Sequence, residues 1–270
     1  MIKPHASWAG SYDLIYDQSF GEFYHSLTHT TIEQIKKSVR LPARIVDFGA
    51  GTGRISIPLS ACGYEVLAVE PCEEMLNQLF RKPGGASIST FIGKMQDFQT
   101  DTYFDMAICV FTVLLYLLDD ISLKKSIQAA SNALRPGGLM LIDIPSKALF
   151  SSFQKNTQIM QRNVIVSPTH VNNIYQYEEK TVLIRDGQSV THVDRFQIRY
   201  WNAEYVLMLL SDYGFSVTKN MFVEFAGTGS QYFLMKKKEN TEQIAVPWKC
   251  QGDGSSDNTK CKTKIENVKL

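Results

Sequence analysis

The segment RIVDFGAGTGRISIPLS, Arg44 to Ser60, holds the residue types and spacing most suited to chemistry. A short apolar run leads into Asp47, and glycines follow at alternate positions, Gly49, Gly51 and Gly53. Glycine allows a sharp turn and lets the backbone approach a ligand that a Cβ atom would block. Such loops bind a nucleoside triphosphate, a dinucleotide pyrophosphate or an adenosyl sulfonium, and the motif alone leaves all three open.

Two of these ligands fit the neighbouring residues poorly. A P-loop places a lysine directly after its last glycine to reach the terminal phosphates, and no lysine occurs between Arg44 and Lys82. The dinucleotide fingerprint needs its third glycine at position 54 or 56, where Arg54 and Ser56 stand. What remains is an acid two residues before alternating glycines. An acidic loop suits a cationic sulfonium and ammonium better than a phosphate.

A second acid follows at a fitting distance. The segment EVLAVEPCEEML places Glu70 at the end of the next strand-like run. A carboxylate there can accept hydrogen bonds from both ribose hydroxyls of a nucleoside. Enzymes that bind NAD use an acid at the same place, so Glu70 indicates a nucleoside ligand without separating the two cofactors.

Three later motifs, GKMQDF, YFDMAICVFTVLLYL and ALRPGGLMLIDIP, follow in order. With them, the sequence over about residues 45–145 resembles the class I S-adenosylmethionine-dependent methyltransferases, and two late strand-like runs extend the resemblance to about residue 236. The resemblance implies S-adenosyl-L-methionine as the cofactor, with Asp47 at its ammonium group, Glu70 at its ribose and Asp97 at its adenine. The cofactor-binding residues expected from it are Tyr16, Asp47, Gly49, Ala50, Gly51, Gly53, Glu70, Pro71, Gln96, Asp97, Phe98, Cys109 and Phe111.

Strand-length apolar runs alternate with helical stripes through this part of the chain. One stripe, Leu123, Ile127, Ala130 and Leu134, ends at RPGG, where proline and glycine stop a helix. Because alternating strands and helices need crossover connections, the pattern predicts an α/β fold. We expect a Rossmann-like, doubly wound, mostly parallel seven-stranded sheet with an antiparallel β insertion. The strand-like runs lie at 43–48, 64–69, 87–92, 104–111 and 138–144, with two more at 215–224 and 230–236.

The β insertion is predicted from residues 157 to 200. Asp186 and Gly187 mark a tight turn there, and apolar and polar residues alternate from Phe196. The segment NAEYVLMLLSDYGF then predicts a helix with Asn202 as its N-cap and Gly214 beyond its end.

The chain is expected to divide into a core and three attached segments. In the first segment, Tyr12 and Tyr16 either offer hydroxyls to the methionine carboxylate or the substrate, or merely pack in an amphipathic helix. The last segment is poor in apolar residues, which predicts disorder. The parts are a helical cap at 1–40, a methyltransferase core at 41–150 and 202–238, a β-rich insertion or substrate lid at 151–201, and a tail at 239–270.

The composition fits a globular protein with a sizeable core, since 44% of its 270 residues are apolar and 20% are charged. A net charge of +1 gives no whole-protein field to attract nucleic acid or a membrane surface. The sequence contains no apolar run of transmembrane length and starts without a signal-peptide core. The five cysteines include no C-x-x-C pair, which disfavours zinc and a disulfide framework and makes a reducing cytoplasm the default.

The loop after the fourth strand, CVFTVLLYL, lacks the Asn- or Asp-Pro-Pro-aromatic pattern with which similar enzymes bind a base or a glutamine. It resembles methyltransferases that act on amino sugars and other small metabolites. The main hypothesis is therefore a cytoplasmic enzyme, monomer or homodimer, that methylates a nitrogen or oxygen of a small molecule without a metal.

An RNA or protein methyltransferase, a non-catalytic cofactor-binding protein and an NAD-dependent enzyme stay as alternatives. Polar side chains outside the cofactor motifs are candidates for a base or an orienting group, and none is assigned as catalytic. These candidates are His170, His192, Tyr116 and Tyr200.

Overall fold

The computed structural model describes residues 3–185 and 187–239, in which helices and strands alternate as the sequence pattern predicts. The helices are α1 (Tyr12–Phe20), α2 (Glu22–Ser38), α3 (Ser56–Ala61), α4 (Glu73–Arg81), α5 (Asp120–Ala133) and α6 (Ala203–Asp212). The first strands are β1 (Arg44–Phe48), β2 (Glu65–Glu70), β3 (Ser89–Ile92), β4 (Phe104–Cys109), β5 (Leu134–Pro145) and β6 (Phe153–Asn156). The others are β7 (Met160–Pro168), β8 (Ile174–Arg185), β9 (Gln188–Arg199), β10 (Phe215–Asn220) and β11 (Ser230–Lys237).

The main sheet has seven strands in the order β10-β11-β5-β4-β1-β2-β3. Every pair in it is parallel except those of β11, which runs antiparallel to both of its neighbours. This arrangement confirms the predicted Rossmann-like fold. Strand β1 lies between β2 and β4, so the chain crosses to opposite sides of the sheet beside it. A crevice for a ligand forms at such a switch point, outside the carboxyl ends of the strands.

Helices cover both faces of the main sheet. On one face, Phe48 and Cys109 pack with apolar residues of α5 and α6. On the other face, Ile45 and Ile108 pack with Ile35 of α2. The sheet is therefore buried on both sides, which explains why its strands read as nearly continuous apolar runs in the sequence.

A second sheet of four antiparallel strands, β6-β7-β8-β9, follows β5. It confirms the predicted antiparallel insertion and begins a few residues earlier than the alternation alone indicates. Asn202 caps α6 as predicted, since its side chain accepts a hydrogen bond from the Tyr205 amide at 3.1 Å. The late hairpin of β10 and β11 also forms. Asp186 and residues beyond 239 lie outside the described part of the chain, so the predictions of a tight turn at Asp186 and a disordered tail stay predictions, as does the division into domains.

Some predicted boundaries are wrong. RPGG does not lie outside the fifth strand, because β5 begins at Leu134 and includes it. A register shift of β5 against β4 accommodates this segment, and such irregularities are where strands tolerate proline and glycine. Strand β4 ends at Cys109, because Phe111 and Thr112 adopt positive φ angles of 63° and 69°. The N-terminal helical region is broken at Gly21, whose φ is 50°.

Candidate functional site

The glycine loop leaves β1 at its carboxyl end and turns back against β2. The amides of Gly49 and Ala50 both donate to the carbonyl oxygen of Val69, at 2.8 and 3.2 Å. Gly49 has a φ of 76°, and a Cβ atom there would lie 2.4 Å from Cγ2 of Val113. Both the backbone conformation and the close approach of the loop after β4 therefore require glycine at this position.

Asp47 lies directly beneath this loop and is 3% exposed. Its Oδ2 accepts a hydrogen bond from the Ser56 hydroxyl at 2.6 Å. Burial raises the pKa of Asp47 to about 7, although this hydrogen bond and the positive charge of Arg54 act in the opposite direction. Removing a carboxylate from water disfavours its charged form, so a cationic ligand would relieve the cost of ionising this group.

Glu70 ends β2 and faces the same loop. Its Oε2 accepts from the Gly51 amide at 3.0 Å, and its Oε1 accepts from the Cys72 amide at 2.9 Å. Burial raises the pKa of Glu70, and these two backbone hydrogen bonds partly offset the effect. Each carboxylate oxygen can accept more than one hydrogen bond, so ligand hydroxyls can still bind to Glu70.

A small cavity of about 60 Å³ lies beside the loop. Its walls combine backbone of the glycine loop, aromatic rings, one carboxylate and one guanidinium group. The residues that line it are Tyr12, Tyr24, Asp47, Gly49, Ala50, Gly51, Thr52, Arg54, Ile55, Val110 and Phe111. This mixture suits a ligand that carries both charges, because Asp47 and Arg54 face the same space without forming an ion pair.

An open groove of about 320 Å³ shares Tyr24 and Arg54 with the small cavity. Its other lining residues come from α1, α2 and the end of α4, and they include Asp13 and Lys82. These two form an ion pair at 2.6 Å, and Lys82 also donates to the Thr52 carbonyl oxygen at 2.7 Å. Lys82 therefore links α1 to the glycine loop.

Residues 45–138, which include the glycine loop and Glu70, match the model of a family described as a methyltransferase domain. This part of the chain is therefore similar to a methyltransferase domain.

Curated relatives support this identification over part of their length. YqeM of Bacillus subtilis, which carries a methyltransferase name, is 30% identical over 138 residues, covering 48% of this chain and 55% of YqeM. A similarly named protein of Geobacillus sp. is 25% identical over 142 residues, covering 52% of this chain and 57% of that protein. The chain thus matches little more than half the length of these relatives.

Solved structures of methyltransferases share the fold over nearly their whole length. An S-adenosylmethionine-dependent methyltransferase from Clostridium acetobutylicum superposes with a TM-score of 0.74, 17% identity and coverage of 85% of this chain and 98% of that one. The sugar N-methyltransferase KedS8 from Streptoalloteichus sp superposes with a TM-score of 0.66, 18% identity and coverage of 84% and 93%. At such identities these likenesses show the fold alone.

The structure brings several of the predicted cofactor residues together. Asp47, Gly49, Ala50, Gly51 and Phe111 all line the small cavity. Glu70 accepts a hydrogen bond from the Gly51 amide of the loop, and Pro71 follows Glu70 in the chain. Gly53 has a different surrounding, because a Cβ atom there would lie 2.8 Å from Cγ of Leu79. Because Gly53 has no side chain, the loop can pack on α4.

Other predicted cofactor residues lie outside the cavity. Tyr16 does not line it and stacks on Tyr12, with ring centroids 4.4 Å apart. Cys109 is wholly buried in the core of the sheet. Its predicted place beside the cofactor stays a prediction.

The predicted adenine-binding segment lies on a short 3₁₀ helix, Met95–Asp97, after β3. Asp97 is exposed there, and Gln96 lies near Ser126 of α5, with Oγ to Oε1 at 3.5 Å. Phe98 is buried, and its amide donates to the Met95 carbonyl oxygen at 3.2 Å. The adenine contacts stay a prediction.

Sequence reasoning missed Arg54 and Tyr24 among the cavity residues. Arg54 follows the last glycine of the motif directly, and that position is the signal that could have identified it. Tyr24 had no comparable signal, because its place in the cavity depends on how α2 packs against the loop.

The four candidate polar groups are dispersed. The Tyr116 hydroxyl lies 2.9 Å from Nε2 of His5. His170 is exposed in the turn between β7 and β8, and His192 lies half-buried on β9. Tyr200 packs edge-on against Phe150. The structure brings none of these candidates to the small cavity. Within the described residues, no group of three or more His, Cys, Asp or Glu side chains is placed to hold a metal ion.

A buried polar network joins the second sheet to the N-terminal segment. Arg162 of β7 forms a bidentate ion pair with Glu179 of β8, at 2.9 and 3.0 Å, and donates to the Ser19 hydroxyl of α1 at 2.9 Å. The backbone amide of His5 donates to Asp194 of β9 at 2.6 Å. These contacts hold the N-terminal segment against the inner face of the second sheet. None of the helices in the described chain is long and apolar enough to span a membrane.

Proposed function

We propose that the protein is an enzyme that transfers a methyl group from S-adenosylmethionine to a nitrogen or oxygen of a small metabolite. The observation that carries the proposal is the cavity beside the glycine loop, in which Asp47 and Arg54 face the same space. A ligand with an amino acid group carries an ammonium and a carboxylate, which match these opposite charges. The chain matches only about half the length of its curated relatives, so the activity is proposed for this chain from its own site.

The residues present fit the cofactor. Asp47, buried and costly to ionise alone, would receive the ammonium group. Glu70 would accept hydrogen bonds from the ribose hydroxyls, and Asp97 would reach the adenine amino group. When bound, S-adenosylmethionine supplies an activated methyl group on a sulfonium. The protein itself then needs to align the acceptor, exclude water and, where the acceptor requires it, remove a proton.

The inner face of the second sheet supports a small acceptor. Tyr177 and Phe196 of this face stack with ring centroids 4.6 Å apart, and the N-terminal segment packs against them through His5. These contacts cover part of the second sheet with the N-terminal segment. The shared fold with KedS8, a sugar N-methyltransferase, adds support for an amine acceptor of the amino sugar type.

The proposal also covers the cellular compartment, the oligomeric state and the need for a metal. The described thiols Cys62, Cys72 and Cys109 are free, which supports a reducing compartment, the cytoplasm. We propose a monomer or a homodimer that needs no metal. An RNA or protein acceptor is the second candidate, and it requires a basic face at the mouth of the cavity, which the net charge of +1 does not favour.

The direct test is transfer of a labelled methyl group from S-adenosylmethionine to a panel of amino sugars, glycine-like amines and hydroxylated metabolites. Labelling of one of these compounds supports the proposal. Labelling of only RNA or protein would favour the second candidate. Binding of NADH without binding of S-adenosylhomocysteine would contradict both.

The ribose role of Glu70 has its own test. Substitution Glu70→Ala should weaken S-adenosylhomocysteine binding by about 1.5 to 3 kcal/mol, because hydrogen bonds to a charged group are lost. Glu73→Ala, which removes an exposed acid on α4, is the matched control and should bind normally. Isothermal titration calorimetry measures both variants, and unchanged affinity in a folded Glu70→Ala protein would contradict the assignment.

A further inference from the structure

The chain makes a strained turn directly after β4. Phe111 and Thr112 follow one another at φ angles of 63° and 69°. This left-handed conformation is unfavourable for residues that carry a Cβ atom, and most of all for a β-branched one such as threonine. Two such residues in succession keep the conformation only where the surrounding structure holds them in it. The turn therefore needs an anchor.

The anchor is the carboxylate of Asp143, near the carboxyl end of β5. The side chain is wholly buried, and the Thr112 amide donates to its Oδ1 and Oδ2 at 3.0 and 3.3 Å. Burial raises the pKa of Asp143 to about 6, while hydrogen bonds from the Ser230 hydroxyl and the Thr112 amide act in the opposite direction. None of the ion pairs among the described residues includes Asp143. Because a buried carboxylate is costly, its hydrogen bond to the turn compensates part of that cost.

The first residue of the turn, Phe111, belongs to the wall of the small cavity. The guanidinium carbon of Arg54 lies 3.5 Å from the ring centroid of Phe111 and 4.0 Å from that of Tyr24. Nη1 of Arg54 also donates to the Thr28 hydroxyl at 2.7 Å. The ring of Phe111 therefore contributes to the site both as a wall and as a support for Arg54.

The residue after the turn, Val113, packs on the glycine loop. The space beside Gly49 is filled by Cγ2 of Val113, which a Cβ atom on that glycine would approach to 2.4 Å. Val113 begins a 3₁₀ helix, Val113–Tyr116, and the carbonyl oxygen of Thr112 accepts from the Leu115 amide at 3.0 Å. The position of Thr112 thus determines where its two neighbours stand against the cavity and the loop.

We propose that Asp143 is a positioning residue for the cofactor site: its carboxylate holds the turn in the conformation in which Phe111 lines the small cavity and Val113 packs on Gly49. This inference rests on the proposed function and adds a residue that is not itself among those lining the cavity. Without the carboxylate the strained turn relaxes. A ligand then binds only the fraction of molecules in which the turn is formed, which lowers its apparent affinity.

Binding of S-adenosylhomocysteine, measured by isothermal titration calorimetry, tests the role of the carboxylate. Asp143→Leu fills the buried space but leaves the Thr112 amide without its acceptor. The affinity should fall about 5- to 30-fold, the factor that corresponds to the strain of one left-handed residue. Asp143→Asn keeps one acceptor oxygen and should lose less than about threefold.

Asp105→Leu is the matched control. The Asp105 carboxylate of β4 also accepts a backbone amide, that of Arg44 at 2.8 Å, but it lies at the amino ends of the strands, away from the glycine loop. This variant should bind S-adenosylhomocysteine normally.

A second substitution separates positioning from a general loss of stability. Glycine adopts positive φ angles without strain, so Thr112→Gly reduces the need for an anchor. The double variant Asp143→Leu/Thr112→Gly should therefore bind within about threefold of the wild type. A double variant that binds as weakly as Asp143→Leu, or an Asp143→Leu protein that binds normally, would overturn the inference.

Amide hydrogen exchange in the wild-type protein, followed by NMR, needs no substitution and decides the matter should Asp143→Leu not fold. The Thr112 amide lies outside the helices and strands, yet it should exchange at least about 100-fold more slowly than an unstructured amide. S-adenosylhomocysteine should slow it further, because the ligand favours the formed turn. Unprotected exchange would remove the role of Asp143 and leave the cofactor site standing. Absence of S-adenosylhomocysteine binding to the wild type would instead contradict the proposed function itself.

Discussion

Arg54 and Arg162 both lie against aromatic rings, yet their electrostatic surroundings are opposite. Arg162 lies 5.0 Å from the Tyr16 ring centroid and 5.4 Å from that of Phe153, and it forms a bidentate ion pair with Glu179. Arg54 is packed more closely between its rings, and none of the ion pairs in the described part of the chain includes it. The same side-chain type therefore completes the structure at one place and leaves an unneutralised charge facing a cavity at the other.

The hydrogen bonds around Glu179 show how completely the Arg162 pair is satisfied. The Tyr177 hydroxyl donates to its Oε2 and the Thr181 hydroxyl donates to its Oε1, both at 2.9 Å. A buried ion pair with such partners links β7, β8 and α1, and the charge of Arg162 is neutralised within the structure. The comparison teaches that burial of an arginine alone does not indicate a binding site, whereas an oriented arginine without an anion does.

The largest effect is expected from removing the charge of Arg162, the arginine that is paired with an acid. Arg162→Met leaves the Glu179 carboxylate buried and uncompensated, which should lower the free energy of unfolding by about 3 to 5 kcal/mol. Urea unfolding measures it. Arg195→Met, which breaks an exposed pair with Glu178, is the control and should cost less than about 1 kcal/mol.

The double variant Arg162→Met/Glu179→Leu sharpens this prediction. It removes both charges, so it should recover much of the stability lost in Arg162→Met alone. A loss below about 1 kcal/mol in the single variant would show that Glu179 is not held as a buried anion.

The next effect concerns Asp47, which faces Arg54 across the cavity. Because its folded-state pKa of about 7 lies above the unfolded value of 3.8, ionising Asp47 destabilises the folded protein as pH rises from about 4 to about 7, and the effect levels off above pH 7. Asp47→Asn should therefore gain stability relative to the wild type over this range, on the order of 3 kcal/mol by pH 7. Thermal unfolding at several pH values measures the difference, and parallel curves for the two proteins would contradict the burial of an ionisable carboxyl.

The same titration predicts the opposite trend for the cofactor. An ammonium group binds the ionised form of Asp47, so wild-type affinity for S-adenosylhomocysteine should fall as pH drops below about 7. Asp47→Asn should bind more weakly at pH 8 and lack this dependence. Asp47→Asn should therefore bind the ligand more weakly and be more stable than the wild type. This combination is expected for a charged group that serves a ligand.

The sequence alone was enough to predict the site residues that lie along a single strand or loop. Asp47, Gly49 and Glu70 end adjacent parallel strands, and the carboxyl ends of such strands meet at one edge of the sheet. Alternating apolar and polar residues indicated the second sheet. Arg54 was visible in the motif, but its unpaired state depends on where α2 places Tyr24 and Thr28.

The long-range contacts could not be predicted from the sequence pattern. The pairing of Arg162 with Glu179 depends on the register of β7 with β8, in which Val164 lies opposite Glu179. The contact of His5 with Asp194 joins residues 189 positions apart. Local periodicity specifies which face of a strand is buried, and it does not specify which distant segment covers that face.

The smallest effect is expected from loosening the ring contacts of Arg54 while keeping its charge. Phe111→Leu removes the closer ring and its cation–π interaction, which is worth about 0.5 to 1 kcal/mol at a partly exposed site. The guanidinium then loses part of its fixed orientation, so S-adenosylhomocysteine binding should weaken about two- to fivefold. Leucine keeps an unbranched Cβ at a position where φ is 63°, so the melting temperature should change little. Phe153→Leu, beside the already paired Arg162, is the matched control and should leave the affinity unchanged. Equal losses in the two variants would mean that both rings serve only packing, and that the orientation of Arg54 does not depend on Phe111.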